Sequence, residues 1–302
     1  MEKIDLVITY VNSNDSEWQK LYKQYAPDIN DLEITGKQRF RENICFKYCF
    51  RGIESFVPWI NNVFLVVQSK SQVPSWINQN TVKVILHEDF IPKEHLPVFN
   101  SQAIEMFLWN IPGLSEKFLY SNDDTYFVGP LKPEDFFEDA KIKTSFARIS
   151  LNGEMPLWKK AIINSGLLAN KKEQQELLSA NSYITPTHTI RPYLKSKMIE
   201  LYNNKKQEIN SSITKFRDEK NYTVYLYDFY LKALGLVVDK TYKTAYHSSN
   251  TSVGLIANTL INPDLYKIIC INDTNEEYDL KREQSIEQQF NKYMSKKSKY
   301  EI

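Results

Sequence analysis

The stretch Phe118-Leu119-Tyr120-Ser121-Asn122-Asp123-Asp124-Thr125-Tyr126-Phe127 decides how the rest of the chain is read. An apolar, β-prone run stops at two adjacent carboxylates, and aromatic sequence resumes at once. A strand that ends there delivers hard oxygen ligands to the carboxyl edge of a sheet, where open α/β folds gather their ligands. The same residues also make an ordinary turn, because Asn and Asp side chains bond their own backbone readily. Both readings stand on this stretch alone, so the surrounding sequence has to separate them.

Upstream, Ile4 to Val11 is an apolar run rich in β-branched residues, and Asp15 to Ala26 reads as a helix ended by Pro27. Arg41 to Phe56 carries Ile44, Tyr48, Phe50 and Ile53 at helical spacing. Val63–Val67 and Val82–Leu86 read as short strands, and Ser101 to Ile111 as a helix capped by Ser101 and stopped by Pro112-Gly113. Downstream, Lys171 to Ala180, Pro192 to Asn204 and Tyr222 to Leu234 read as helices. Leu236–Val238 and Lys267–Ile271 read as strands, and Glu276 to Lys297 as a charged helix with Ile286, Phe290 and Tyr293 on one side. Strand–helix alternation of this kind predicts a mostly parallel sheet flanked by helices. We expect an α/β fold, GT-A-like and Rossmann-like, with a helical insertion or lobe in the second half.

The bulk numbers narrow the function classes. Of 302 residues, 42% are hydrophobic and 13% aromatic, enough for a sizeable core. Lys plus Arg is 38 and Asp plus Glu 37, for a net charge of +1, which argues against non-specific nucleic-acid binding. Cys45, Cys49 and Cys270 are too few and too scattered for a disulfide framework, and read as buried apolar side chains. The amino terminus enters a strand with no signal-peptide pattern, and no apolar run approaches the roughly 20 residues needed to span a bilayer. The sequence therefore reads as cytoplasmic, with any membrane contact peripheral. For that contact the face of Ile286, Phe290 and Tyr293 is offered, beside Lys292, Lys296, Lys297 and Lys299; a helix packed on the domain is the competing reading.

Several polar sites carry chemistry. The first strand runs through Thr9 into Asn12-Ser13-Asn14-Asp15, a polar turn that either faces phosphate with helix amides or serves simply as a turn with Asp15 as N-cap. It holds no glycine, so neither a dinucleotide fingerprint nor a phosphate loop is present. Arg39-Phe40-Arg41 puts two guanidinium groups on one side of an extended segment, where they grip a diphosphate or stay as solvated charges. His87-Glu88-Asp89 follows a strand, and Phe99-Asn100-Ser101 precedes the helix bearing Glu105. Among the four histidines, His188 in the loop Thr185-Pro186-Thr187-His188 is weighed as catalytic or structural, while His95 and His247 sit in bland polar stretches.

Taken in order, these segments resemble the Stealth family. The resemblance rests on Arg39-Phe40-Arg41-Glu42-Asn43, Arg51-Gly52-Ile53-Glu54 with Pro58-Trp59-Ile60, and Leu96 to Glu105. It continues in Ile111 to Glu116 and Asn122-Asp123-Asp124, with smaller islands at His188, Phe216-Arg217 and Cys270-Ile271-Asn272-Asp273. That family includes bacterial capsular polysaccharide phosphotransferases and the GlcNAc-1-phosphotransferase that marks lysosomal enzymes. The resemblance implies transfer of a sugar 1-phosphate from a UDP-sugar, either UDP-N-acetylhexosamine or UDP-hexose. The acceptor is then a hydroxyl of a polysaccharide or lipid-linked oligosaccharide, and UMP leaves. It implies Asp123 and Asp124 as ligands of Mg or Mn with Asp273 as a third, His188 as general base, and Arg217 as a charge-neutralising catalytic residue. Donor and phosphate contacts are implied for Thr9, Asn12, Asp15, Arg39, Arg41, Asn43, Asn100, Ser101, Glu105, Asn122 and Arg191.

One departure is visible: the family's first region usually runs Trp-Val-Asp-Gly, and here it is Tyr10-Val11-Asn12-Ser13. The chain shows no internal repeat and no low-complexity linker, so residues 1–302 are expected to form one catalytic domain. Its 1–140 half binds the nucleotide-sugar, its 141–265 half is helical and acceptor-facing, and 266–302 supplies a final strand and helix. The rival chemistry is a metal-dependent glycosyltransferase that releases UDP, and the more distant one a non-catalytic saccharide-binding protein.

Overall fold

The computed structural model describes residues 2–302. In chain order the first half comprises β1 (Ile4–Thr9), α1 (Ser16–Tyr25), α2 (Lys47–Phe56), β2 (Val63–Val67), β3 (Val82–Leu86), α3 (His87–Phe90), α4 (Ser101–Glu105), β4 (Lys117–Asn122) and β5 (Thr125–Phe127). There follow β6 (Phe137–Glu138), β7 (Lys141–Lys143), β8 (Phe146–Ser150), α5 (Leu157–Ala169), α6 (Lys171–Ser179), β9 (Ser182–Pro186) and β10 (Arg191–Leu194). The chain closes with α7 (Lys195–Asn204), α8 (Lys206–Ser212), α9 (Tyr225–Ala233), β11 (Val237–Val238), β12 (Thr244–Ser248), α10 (Val253–Leu260), β13 (Ile268–Asn272) and α11 (Leu280–Tyr293).

The main sheet has the order β10-β4-β1-β2-β3, parallel throughout except for β10 on one edge. Every residue of β2 is buried, which explains its unbroken hydrophobicity: a central parallel strand is covered on both faces. Alternation sorts the side chains. Leu6, Ile8, Val63 and Leu65 join the core on one face, and Val7, Phe64, Val66 and Phe118 the core on the other. Asp5 is an exception that the structure explains. Its buried carboxylate accepts from the side-chain amides of Asn61 and Asn62 and from the backbone amides of Asn62 and Ser115, so it ties together the turns that launch β2 and β4.

A second sheet, β12-β13-β5, begins where the main one ends. The chain leaves the main sheet at Asn122, turns through Asp123 and Asp124, and enters the second sheet at Thr125. The amide of Ile271 donates to the Asp124 carbonyl at 2.9 Å, fastening that turn to β13. From the other side, α2 packs on β5 so closely that a Cβ at Gly52 would lie 2.5 Å from the Phe127 carbonyl oxygen.

Several expected elements differ in extent. The helix expected from Arg41 begins only at Lys47, because the Asn43 side chain takes the Cys45 amide and holds a turn there. The helix expected from Ser101 to Ile111 is α-helical only to Glu105, and its N-cap is Asn100 rather than Ser101. Pro192 does not start a helix: Arg191–Leu194 is an antiparallel edge strand, where a missing N–H is tolerated, and the helix starts at Lys195. The second half is therefore not purely helical. It returns β10 to the main sheet and adds a β8–β9 hairpin.

The carboxyl-terminal helix has no free apolar face. Ile286 and Phe290 are fully buried, Phe290 stacks 5.0 Å from Tyr48, and the Tyr293 hydroxyl donates to the Val128 carbonyl. Membrane docking through Ile286, Phe290 and Tyr293 is thereby corrected; α11 is part of the core. No helix among the described residues is long and apolar enough to cross a membrane.

Candidate functional site

A cavity of about 1130 Å³ opens over the carboxyl ends of β1 and β4. Thr9 and Asn122, register partners at those two strand ends, both line it. Its base carries Asp123 and Asp124, presented by the turn that joins the two sheets. The Asn43 side-chain amide holds this turn by donating to the Asp123 carbonyl and the Tyr126 hydroxyl, both at 2.7 Å. Burial pushes the Asp123 carboxyl well above the usual range, and the neighbouring Asp124 charge pushes it further. Neither carboxylate has an ion-pair partner among the described residues.

His188 stands on the same cavity, close to Asp124: its ring nitrogen, an Asp124 oxygen and the Cys270 sulfur lie within 4.8 Å of one another. Nδ1 of His188 is 3.1 Å from the Tyr225 hydroxyl. Burial lowers the His188 pKa; Asp124 works in the opposite direction and Arg191 adds to the lowering, leaving it below the ordinary imidazole value. Arg191 supports this arrangement from below. Its guanidinium lies 4.0 Å from the Tyr225 ring centroid, pairs with buried Asp228 at 3.2 Å and donates to the Thr187 carbonyl.

Two further guanidinium groups, Arg39 and Arg217, line the cavity with no hydrogen bond or ion pair among the described residues. Burial lowers the pKa of each, and for Arg39 the nearby Arg217 charge contributes as well. Their Nε atoms are buried without an acceptor, as are the hydroxyls of Thr187 and Thr189 on either side of His188. Half-buried guanidinium groups without a partner are costly, and a pair of them facing one polar cavity is an arrangement an anion relieves.

A model of Stealth protein CR2, conserved region 2, matches residues 39–145. Along its length the chain is 32% identical to the capsular polysaccharide phosphotransferase WcwK of Streptococcus pneumoniae, covering 96% of this chain and 95% of that one. It is equally 32% identical to the receptor polysaccharide phosphotransferase WefC of Streptococcus gordonii, over 100% of both chains. The chain belongs to the Stealth family. A third relative, the capsular polysaccharide phosphotransferase SacB of Neisseria meningitidis serogroup A, is 33% identical over 92% of this chain but only 54% of its own length.

Within this Stealth chain the cavity gathers Thr9, Arg39, Arg41, Asn43, Ser101, Glu105, Asn122, Asp123, Asp124, His188, Arg191, Arg217 and Asp273. It does not gather Asn12, Asp15 or Asn100. Asp15 caps α1 through the Trp18 amide, and Asn12 closes a turn onto the Asn14 amide, so the plain turn reading describes this loop. Asn100 is buried and hydrogen-bonds Thr214, Phe216 and Asn221, which fixes the loop carrying Arg217. Arg41 and Asp273 pair with each other, and the second Asp273 oxygen accepts from Ser249, so that carboxylate is already committed. Arg191 is likewise committed to Asp228.

A divalent metal fits the donor set. Asp123 and Asp124 offer adjacent oxygen ligands without a counter-charge, and the upward push on Asp123 is what a bound cation would reverse. The Cys270 thiol beside them is held protonated by burial and by Asp124, and so adds no thiolate. Sequence reading missed Tyr225, because a tyrosine-rich helix gives no sign of which ring faces a histidine. Arg282, Tyr246 and Tyr278 were missed for the same reason: they reach the cavity only through the second sheet and the segment after it.

Proposed function

We propose that this chain transfers a sugar 1-phosphate from a UDP-sugar to a hydroxyl of a growing polysaccharide or lipid-linked repeat unit, releasing UMP. The observation that carries the reading is the meeting, in one cavity, of the Asp123–Asp124 pair, His188, and the unpaired guanidiniums of Arg39 and Arg217. The names of relatives that match along nearly the whole chain support phosphoryl transfer in polysaccharide synthesis.

In this reaction the acceptor oxygen bonds to the β-phosphorus of the donor. The bond from that phosphorus to the bridging oxygen breaks, and UMP leaves with the electron pair while the sugar stays on its phosphate. His188 takes the hydroxyl proton on Nε2, which requires Nδ1 to carry hydrogen and donate to the Tyr225 hydroxyl. Because its pKa is lowered, the ring is neutral at physiological pH and ready for that role. Arg39 and Arg217 lie ready to offset charge on the transferring phosphate. Mg or Mn held by Asp123 and Asp124 would supply charge neutralisation on the diphosphate.

The test is nucleotide release with magnesium, a panel of UDP-hexoses and an acceptor preparation, resolving UMP from UDP. UMP is expected; UDP would mean cleavage at the anomeric carbon and a glycosyltransferase. Asp124→Ala and His188→Ala are each expected to abolish release with melting temperature little changed. UDP is expected to protect the protein thermally only when Mg or Mn is present.

A further inference from the structure

Four aromatic side chains are conspicuously exposed among the described residues: Tyr25, Trp158, Tyr246 and Tyr278. The last three line the cavity that holds His188. Single exposed apolar residues need no explanation, but their concentration at the mouth of one polar cavity does. Two of the three are already engaged. The Arg41 guanidinium lies 4.7 Å from the centre of the Tyr278 ring, and Tyr246 meets His188 edge-on while its hydroxyl accepts from the Asn272 side chain.

Trp158 is different. It is 44% exposed, its indole N–H has no protein acceptor among the described residues, no aromatic ring stacks on it there, and the Lys159 ammonium lies 5.9 Å from its ring centre. It sits in the first turn of α5, one helical turn before Ile162, which also lines the cavity. The Leu157 amide donates to Glu33 at 2.8 Å, so Glu33 and the exposed Leu32 are drawn up beside it. Ile149, 39% exposed on β8, extends the apolar surface. A flat aromatic face with aliphatic flanks, a carboxylate at its edge and orphaned threonine hydroxyls farther in matches a pyranose, which has an apolar C–H face and a hydroxyl rim.

We propose that Trp158 is the stacking platform for a sugar ring of the acceptor saccharide. This deepens the transferase reading above and rests on it for the word acceptor. The side is chosen by topology: β8, which carries Ile149, pairs with β9, and β9 runs directly into Thr187 and His188. The general base and the Trp158 wall therefore belong to one structural unit, and the hydroxyl that His188 deprotonates belongs to the acceptor.

The probe is the polysaccharide of the organism that makes this protein, cut at its phosphodiesters to leave free hydroxyl ends. Trp158→Ala is expected to raise the KM for this saccharide about three- to tenfold. The KM for the UDP-sugar and the melting temperature should stay unchanged, and Trp158→Tyr should restore most of the loss. An unchanged saccharide KM overturns the proposal, and so does a shift in donor KM, which would make the indole a platform for the base. Should the wild-type protein release no UMP at all, the transferase reading fails by itself. Retardation in a gel containing the same saccharide then decides: loss of retardation in Trp158→Ala supports the platform, and equal retardation overturns it.

Discussion

At the scale of the residue, His188 shows how environment sets chemistry. Burial works against a charged imidazole, and that cost outweighs the attraction of Asp124, so its pKa lies below the ordinary value of about 6.5. A base must be neutral to act, and a lowered pKa keeps it neutral to lower pH. The acid limb of kcat/KM is therefore expected below about pH 6.5. A limb centred above pH 7 would remove His188 from the role. Tyr225→Phe, which takes away the acceptor for Nδ1–H, should lower kcat by about tenfold or more with a smaller change in donor KM. The residue pair Asp123–Asp124 and His188 itself were legible in the sequence, because a strand ending in carboxylates and an ordered set of motifs both point to them. Their partners were not. Tyr225 acquires meaning only from the histidine it meets across the fold, and the hydroxyls of Thr187 and Thr189 only from being buried in the cavity without a partner. Conversely Asn100 and Arg191 fall within recognisable polar segments, yet the structure uses their hydrogen bonds to hold loops in place.

At the scale of the element, the turn bearing the carboxylates is positioned by what packs behind it. Helix α2 lies against β5, the strand that begins immediately after Asp124, and the contact is close enough that only glycine fits at position 52. Gly52→Ala puts a methyl 2.5 Å from the Phe127 carbonyl oxygen, so helix and strand must separate. The expected cost is about 1–3 kcal/mol of stability by chemical denaturation. Metal-dependent protection by UDP should weaken as well, since the Asp123–Asp124 turn moves with β5. Stability and UDP protection both at the wild-type level would show that the helix gives way without disturbing the turn. The parallel core of the fold was readable, because β2 and β3 announce themselves by continuous or alternating apolar residues. Strand β10 was not, because Pro192 resembles a helix start; its edge position in the main sheet is a tertiary fact. The helix expected from Arg41 was over-extended for a related reason: apolar spacing marks Ile44, but the Asn43 side chain captures the Cys45 amide before the helix can begin.

At the scale of the whole molecule, the carboxyl-terminal segment and the site form one mechanical unit. Phe290 on α11 packs 4.6 Å from the Tyr126 ring, the Tyr126 hydroxyl accepts from Asn43, and Asn43 also holds the Asp123 carbonyl. Beyond α11, Glu301 forms a two-pronged buried pair with Arg51 on α2, and the Ile302 amide donates to the Trp76 carbonyl. Truncating Phe290 to Ala empties a fully buried ring site, which costs about 3–5 kcal/mol. Breaking the Arg51–Glu301 pair by Glu301→Ala strands a buried guanidinium, at a further cost of about 3–5 kcal/mol. Domains of this kind hold only about 5–15 kcal/mol in total. Deleting residues 285–302 removes both contributions together, and the truncated chain is therefore expected to lose cooperative unfolding and near-ultraviolet circular dichroism. A peripheral membrane anchor predicts the opposite: a truncated chain that melts like the full one and differs only in vesicle binding. Urea denaturation of the truncated protein separates the two, and Phe290→Leu, which keeps much of the buried volume, should fall between Phe290→Ala and wild type if packing is the cause.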